Sequence, residues 1–374
     1  MAEKDLSLAR YFADLPDPRI DRTKKHSLLD ILAVTFCAVL AGADSFEEVE
    51  RFGRSRASWL KTFLSLPNGI PSHDTFTRVF AALDPKRFGV CVGQWMQAVC
   101  EATDLRHVAV DGKAVRSAPR TTFSGCLHLV SAWATEQGII LGQQAVADGS
   151  HEIAAIPALL QTLQLRGALV TIDAAGCQKE ITQQIRAQGG HYLLTVKGNH
   201  PSLHQAVQDV FTQAYDTDFH GVKSDTHDSA NAGHGRHEER SVTVIYEPKG
   251  LPDGWADVAA VVQVGRERTT QAATATSVHY YITSLGGKAA ALAQLIRRHW
   301  AVENELHWSL DVTFREDANR TRAQHAGDNL GLVRRVALSL LKQDPSRGSL
   351  KGKRFQAALD PTYLMRALRG FTAD

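Results

Sequence analysis

A change of pattern near residue 103 most constrains what this chain can fold into. Up to that point, apolar residues recur at helical spacing between short polar breaks, and nothing reads as a strand. The helices predicted there lie near 27–41, 45–55, 72–83 and 86–101. From residue 107 the order becomes three strands, a helix at 152–165, a strand, a helix at 178–188 and a strand. Short apolar strands that alternate with helices predict an α/β sheet covered on both faces.

The N-terminal helical part allows two interpretations. A Gly-Ile-Pro turn leads to Ser72, a predicted N-cap, and an apolar stripe follows it at helical spacing. One interpretation is a helix-turn-helix that inserts Thr75, Thr77 or Arg78 into a DNA groove. The other is a helical bundle with one well-capped helix.

Composition excludes several classes of protein. The five cysteines are widely spaced and never form CxxC, which favours free thiols in a reducing cytoplasm. The N-terminus lacks the apolar stretch of a signal peptide, and the apolar run that contains Asp30 is too short for a membrane span. We therefore expect a cytoplasmic protein with no membrane partner.

Charge is uneven along the chain, although the net charge is only +2. Between Arg320 and Arg354 there are nine lysines and arginines but only two acidic residues, Asp328 and Asp344. This surplus predicts a basic face that contacts phosphates. An ordinary solvated helix face with a lysine-rich loop is the alternative.

Three acidic residues lie at positions where they could form a catalytic metal site. Asp111 ends the first strand in VAVDGK, Asp173 ends the fourth in LVTIDAAG, and Glu303 lies in the late helix HWAVENELHW. Neighbouring parallel strands end at the same sheet edge, and a helix packed there adds a third carboxylate. Clustered carboxylates without cysteine suit Mg²⁺ or Mn²⁺.

Each of these acids also has a purely structural interpretation. Asp111 and Gly112 form a good two-residue hairpin signal. Asp173 resembles an ordinary helix cap. Glu303 stands four residues from both His299 and His307, so the three would line one side of a helix and pair there.

Together the motifs resemble the DDE-type insertion-sequence transposases, specifically the ISAs-type group with the H-repeat-associated proteins. The resemblance covers nearly the whole chain and is carried by motifs such as SHDTFTRVFAALDP, VAVDGKAVR, TIDAAGCQKEI, YLLTVKGNHP and HWAVENELHWSLDVTFREDANRTR. It implies a ribonuclease H-like catalytic core in which Asp111, Asp173 and Glu303 bind two Mg²⁺ or Mn²⁺ ions. It also implies double-stranded DNA as partner, both terminal inverted repeats and target, and a homodimer on DNA within the bacterial nucleoid.

The resemblance and the patterns give an expected organisation. An all-helical N-terminal domain (1–103) precedes the first part of the core (104–215). A strand-rich insertion (216–288), which begins with a predicted Gly/His/Asp-rich loop, comes before the last part of the core (289–345). A basic C-terminal tail (346–374) ends the chain.

The signature around the last acid departs from many relatives. They carry Tyr-x-x-Arg-x-x-x-Glu-x6-Lys, whereas Ile296, His299 and Leu310 occupy the Tyr, Arg and Lys positions here. By this resemblance His299 contacts phosphate or orients Glu303, while His307 and the tryptophans pack the helix onto the sheet. The candidate DNA contacts are Lys113, Lys197, Arg236, Arg297, Arg298, His299, Arg320 and Arg322.

Three other functions compete with transposition. A nuclease of the same fold would cut DNA without joining it. A domesticated protein would bind DNA with an idle triad. A zinc site could be built from the loop histidines His220, His227, His234 and His237. It has little support, because no cysteine accompanies them and their spacing fits no compact zinc pattern.

Overall fold

The computed structural model describes residues 8–101, 106–119, 126–147, 150–233, 236–270 and 273–370. The chain divides into two compact units. The helical unit comprises Met1–Leu105, Gly112–Leu163 and Val302–Asp374. The sheet unit comprises Arg106–Asp111 and Gln164–Ala301.

Residues 8–101 of the helical unit form six α-helices, and the four helices predicted from the sequence are confirmed to within one residue at each end. The helices are α1 (Leu8–Phe12), α2 (Leu28–Leu40), α3 (Phe46–Ser55), α4 (Ala57–Leu60), α5 (His73–Ala82) and α6 (Pro85–Glu101). Ser27 caps α2, because its hydroxyl accepts the Asp30 N–H at 2.9 Å. Helix α2 is apolar nearly all round and is therefore buried along almost its whole length.

Ser72 stands at the predicted N-cap of α5, but its side chain does not bond the helix backbone. Its hydroxyl instead lies 3.2 Å from the hydroxyl of Thr75. Insertion of this helix into a DNA groove stays a prediction.

Three strands and a helix follow. They are β1 (His107–Pro119), β2 (Cys126–Ala134), β3 (Ile139–Ala145) and α7 (Glu152–Leu160). Strand β1 passes from the sheet unit into the helical unit after Asp111. The hairpin interpretation of Asp111 and Gly112 is therefore wrong. The expectation that the first strand ends at Asp111 is wrong as well, because β1 continues through both residues to Pro119. Helix α7 ends earlier than predicted because tight i→i−3 bonds at Thr162 and Leu163 close it.

Parallel strands form the centre of the sheet unit. Strands β4 (Leu169–Ile172) and β5 (His191–Val196) run parallel to β1, with α8 (Lys179–Ala187) between them and α9 (Pro201–Asp216) after them. Four antiparallel strands and a helix follow: β6 (Ser224–Gly233), β7 (Arg236–Tyr246), β8 (Ala260–Thr270), β9 (Thr274–Thr283) and α10 (Ala289–His299). The strands of the described residues, nine in all, run in the order β3-β2-β1-β4-β5-β9-β8-β7-β6.

The Gly/His/Asp-rich segment before Arg236 was predicted to be a loop, and this prediction is wrong. Its residues Ser224–Gly233 form β6 and pair with β7 along all ten positions. Local composition there has low strand propensity, so backbone pairing with β7 decides the outcome.

The C-terminal part returns to the helical unit. It contains a π-helix (Val302–His307), α11 (Trp308–Val312), α12 (Ala326–Lys342), α13 (Leu350–Leu359) and α14 (Pro361–Leu368). Helix α12 is buried and packs against α2, α5, α6 and β3. Residues 346–374, expected as a basic tail, supply α13 and α14, and Ala357, Tyr363 and Leu364 from these helices are buried. No helix in the described part of the chain has the length and apolarity to cross a membrane.

Candidate active site

Asp111 and Asp173 lie at neighbouring positions on adjacent parallel strands. Val110 of β1 pairs with Ile172 of β4, and each is followed directly by one of the two aspartates. Asp173 is exposed and Asp111 half-buried. The structure therefore brings these two predicted acids to one edge of the sheet unit, where open α/β sheets bind ligands.

The loop after β4 fixes the Asp173 carboxylate. Its Oδ1 atom accepts the N–H groups of Ala175 at 3.0 Å and Gly176 at 3.3 Å. Asn199 donates its side-chain N–H to the carbonyl of Ala174 at 2.8 Å and so ties this loop to the end of β5. An aspartate that accepts backbone N–H groups two and three residues on is held in one orientation.

A buried hydrogen-bond chain lies behind Asp173. The Thr171 hydroxyl is 2.9 Å from Nε2 of His107 and 3.0 Å from Nδ1 of His299. Burial lowers the pKa of His107 to about 3, and the neighbouring His299 and Arg298 add to the effect. Burial also lowers the pKa of His299 to about 4, although Asp173 opposes that shift. Both imidazoles are thus neutral near pH 7, and His299 is anchored to the sheet through Thr171.

Glu303 lies on the π-helix of the helical unit and is exposed. The sequence predicted one regular helix with His299, Glu303 and His307 along one side, and this is wrong. Helix α10 ends at His299, and a wider turn spans Val302–His307, so the regular 3.6-residue spacing does not apply. Single π-turns are rare and occur frequently at functional sites.

The predicted packing role of the tryptophans is also wrong. Trp300, in the sheet unit, is 52% exposed, and Trp308, in the helical unit, is 59% exposed. His307 is half-buried, and burial lowers its pKa to about 3, with help from nearby Arg335 and Lys113; its packing onto the sheet stays a prediction.

Lys113 lies inside a cluster of charges in the helical unit. Its side chain is only 7% exposed, and its Nζ atom lies 2.8 Å from Asp311, 3.2 Å from Asp317 and 3.8 Å from Glu316. Glu316 is fully buried and accepts two hydrogen bonds from Arg335, at 2.5 and 3.3 Å. We call these five residues the Lys113 cluster. The expected phosphate ligand is therefore engaged with carboxylates of its own chain.

Sequence reasoning missed Glu152, which lies over Gly112 within the helical unit. A Cβ atom at position 112 would come within 2.2 Å of the Glu152 Oε1 atom. Nδ1 of His128 is 3.6 Å from the same oxygen. The available signal was the glycine after Asp111, which marks a place where another group approaches the backbone closely.

Most of the other predicted DNA contacts are accessible. Lys197 follows β5 and is exposed, as are Arg297 and Arg298 at the end of α10 and Arg320 and Arg322 in the helical unit. Arg236 begins β7, and its side chain lies outside the described residues.

The predicted basic C-terminal face is only partly right. Four of its nine basic residues are buried: Arg334, Arg335, Lys353 and Arg354. Arg334 donates to the Asp44 carbonyl at 2.8 Å, and Lys353 donates to the Asp344 carbonyl at 2.8 Å. These side chains hold helices together and do not face solvent.

Carboxylate oxygens of Asp111 and Asp173 are the donors that Mg²⁺ and Mn²⁺ prefer, so the pair fits such an ion. Among the residues that the structure describes, no group of three or more His, Cys, Asp or Glu is close enough to hold a metal ion. Of the loop histidines, His227 lies in β6 and His237 in β7, and His234 falls outside the described residues.

The fold and this pair of acids define an α/β protein with a carboxylate site at a strand edge. Residues 102–338 match the family model described as Transposase DDE domain, and residues 9–96 match the one described as DDE_Tnp_1-associated. The chain belongs to the DDE transposase family.

Two relatives are similar over almost their full length. The chain is 38% identical over 385 residues to Putative transposase YncI of Escherichia coli O157:H7, which covers 98% of this chain and 97% of that protein. It is 34% identical over 375 residues to H repeat-associated putative transposase YhhI of Escherichia coli strain K12, covering 97% of this chain and 98% of that protein. The resemblance seen in the sequence is thereby confirmed.

Proposed function

We propose that this chain is a DNA transposase that hydrolyses a phosphodiester at each transposon end and joins the freed 3′ end to target DNA. The observation that carries the proposal is the register of β1 and β4, in which Val110 pairs with Ile172 and Asp111 and Asp173 are the residues that directly follow them. The mixed sheet around this pair supports a ribonuclease H-like core. Glu303, on its π-turn, is the third acid of the proposed triad.

The three carboxylates would hold two Mg²⁺ or Mn²⁺ ions. When bound, such a pair activates the attacking oxygen and stabilises the leaving 3′ oxygen. The backbone N–H groups of Ala175 and Gly176 orient Asp173 before any ligand arrives. His299, neutral and anchored to Thr171, adds no positive charge that would repel a cation beside Asp173.

The DNA is held by exposed cations around this edge. Lys197 is one of these, and Arg297 and Arg298 at the end of α10 are two more. The substrates are the terminal inverted repeats and the target duplex. Two ends must be brought together before joining, so a homodimer on DNA is the expected assembly.

The test uses full-length protein with Mg²⁺ and a duplex that carries its own terminal repeats. The wild type is expected to give 3′-end nicks and joined products. Asp111→Asn, Asp173→Asn and Glu303→Gln each remove one carboxylate charge, so each is expected to abolish both products and to weaken Mn²⁺ binding measured by electron paramagnetic resonance. Salt-sensitive DNA binding should persist in all three.

Glu267→Gln is the matched control, because it removes one exposed carboxylate from β8 and should change neither metal binding nor cleavage. Full cleavage by any triad variant would remove that acid from the site. Nicks without joined products would identify a nuclease. DNA binding without cleavage by the wild type would identify an idle DNA-binding protein.

A further inference from the structure

The four antiparallel strands of the sheet unit extend beyond the edge that carries Asp173. Strand β5 ends at Val196, which pairs with Tyr280 of β9. Strand β9 continues for six more residues away from that pair, back to Thr274, and stays paired with β8 there. Strand β8 in turn pairs with β7, and β7 with β6. We call this part of β6–β9 the extension.

The two faces of the extension carry opposite charges. Residues directly opposite each other on paired strands share a face, and successive residues alternate between faces. Arg240 lies opposite Arg266, and Glu238 lies opposite Arg268. These residues therefore share one face, the arginine face. Among the side chains that the structure describes there, Arg240, Arg266 and Arg268 accompany the single acid Glu238.

On the other face, every Lys, Arg, Asp or Glu in the described strands is an acid. Glu239 lies opposite Glu267, and Asp228 lies opposite Ser241, the next residue on that side of β7. All three carboxylate-bearing residues are exposed. This acidic face and the arginine face are the two sides of the same sheet.

Glu238 stabilises the arginine face without neutralising it. It is 5% exposed and forms ion pairs with Arg240, at 2.5 Å, and with Nε of Arg266. One carboxylate thus holds two guanidinium groups side by side, while Arg268, opposite it, is exposed. The charge that remains on this face is positive.

The arginine face continues toward the candidate active site. Lys197 directly follows Val196, so the pairing with Tyr280 places it beside His279. Lys197 and Arg266 both help to lower the pKa of His279, after burial, which is consistent with this placement. Nearer the core, Val242 and Val264 of the same face pack in one cluster with Leu292 of α10. Basic side chains therefore run from the end of β5 out along β8.

We propose that the arginine face binds the phosphate backbone of double-stranded DNA and carries the duplex away from the strand edge of Asp173. Charge complementarity favours this partner, since duplex DNA presents about one negative charge per 1.7 Å along its axis. Guanidinium groups bind phosphate oxygens in pairs of hydrogen bonds. The acidic face repels the same duplex and so fixes which side of the sheet receives it.

This inference rests on the proposed function but concerns DNA binding alone. It is tested with two neighbouring residues of β8 that point to opposite faces, in the variants Arg268→Gln and Glu267→Gln. Binding of the full-length protein to a repeat-end duplex, without divalent metal, is followed by fluorescence anisotropy between about 50 and 200 mM salt, where phosphate contacts dominate affinity.

Arg268→Gln is expected to weaken binding several-fold and to lower the slope of log affinity against log salt by about 0.9, the value for one phosphate contact. Arg268→Lys should restore most of that slope because it keeps the charge. Glu267→Gln should bind as well as the wild type or more tightly. Arg266→Gln is a second variant of the same face, and circular dichroism checks that every variant is folded.

An unchanged slope in both arginine variants would overturn the inference and leave the proposed function standing if cleavage persists. Equal weakening by Glu267→Gln would also overturn it, since the effect would then not belong to one face. Loss of self-association with unchanged DNA affinity would identify the face as a protein interface. A wild type that binds no DNA would refute both this inference and the proposed function.

Discussion

Lys113→Met separates a structural role of this lysine from a role in binding DNA. In the structure the ammonium group faces three carboxylates and is nearly inaccessible to water. Methionine keeps the length and the apolar stem of the side chain but removes the charge. Asp311 and Asp317 would then lose this cation, and Glu316 would keep its ion pair with Arg335.

The size of the effect follows from the exposure of the partners. Removing one member of a fully buried ion pair costs about 3–5 kcal/mol. Asp311 and Asp317 are 36% and 30% exposed, so water can solvate them again after the lysine is lost. Glu316 is buried but retains its bonds to Arg335. We therefore expect a loss of about 2–3 kcal/mol, near the upper range for a hydrogen bond to a charged group.

The assay is urea unfolding followed by far-ultraviolet circular dichroism, with DNA affinity measured in parallel. Lys197→Met is the matched control, because Lys197 is exposed and its removal should leave the free energy of unfolding unchanged while DNA binding weakens. The double variant Lys113→Met/Asp311→Asn should lose less stability than the sum of the single variants, since the two groups interact directly. If Lys113→Met had unchanged stability and weaker DNA binding, the lysine would have to bind DNA phosphates instead.

Arg335→Met should lower the free energy of unfolding by about 3–5 kcal/mol, because it leaves the fully buried Glu316 without its main partner. The double variant Arg335→Met/Glu316→Gln should recover part of that loss. If Arg335→Met were as stable as the wild type, the ion pair would not contribute to stability. His107 has a pKa lowered by burial to about 3, so the unfolded chain binds the extra proton below its ordinary value of about 6.5. The free energy of unfolding should therefore decrease as the pH is lowered from about 6.5 to about 3, by up to about 1.4 kcal/mol per pH unit for this group. His107→Gln should reduce that pH dependence in urea titrations between about pH 4 and 7. Gly112→Ala should destabilise the chain because the new methyl group meets Glu152, and Gly112→Ala/Glu152→Ala should relieve the clash; equal stability of both variants would contradict it.

Local pattern was sufficient for most elements of the fold. The N-terminal helices and the strands that carry Asp111 and Asp173 could be predicted because their apolar spacing and caps agree with the final packing. Strand β6 could not be predicted, because its residues are polar and their strand conformation depends on pairing with β7, which lies later in the chain. The sequence also could not decide the conformation at Asp111 and Gly112, because an Asp-Gly pair is compatible with both a tight turn and a continuous strand.

The candidate site was predictable only in part. Asp111 and Asp173 could be placed together, since parallel pairing sets the residues before them, Val110 and Ile172, opposite each other. The burial of Lys113 and Arg335 could not be foreseen, because a lysine or arginine in sequence carries no sign of the carboxylates that later surround it. The π-turn at Glu303 was hidden for a similar reason, as nothing in the apolar spacing marks one extra residue in a helical turn.

That extra residue makes the segment before α11 tolerant of a change in length. Deleting one position between Glu303 and Trp308 would convert the wide turn into a regular one. The turn would absorb the missing residue, so Glu303 would keep nearly its present direction about the helix axis. The same deletion inside a regular helix such as α12 would rotate the residues before it by about 100°, the angle that one residue subtends in an α-helix. Copies of this gene that carry such a frame-preserving deletion in the turn would therefore encode a shorter protein in which this carboxylate still points the same way.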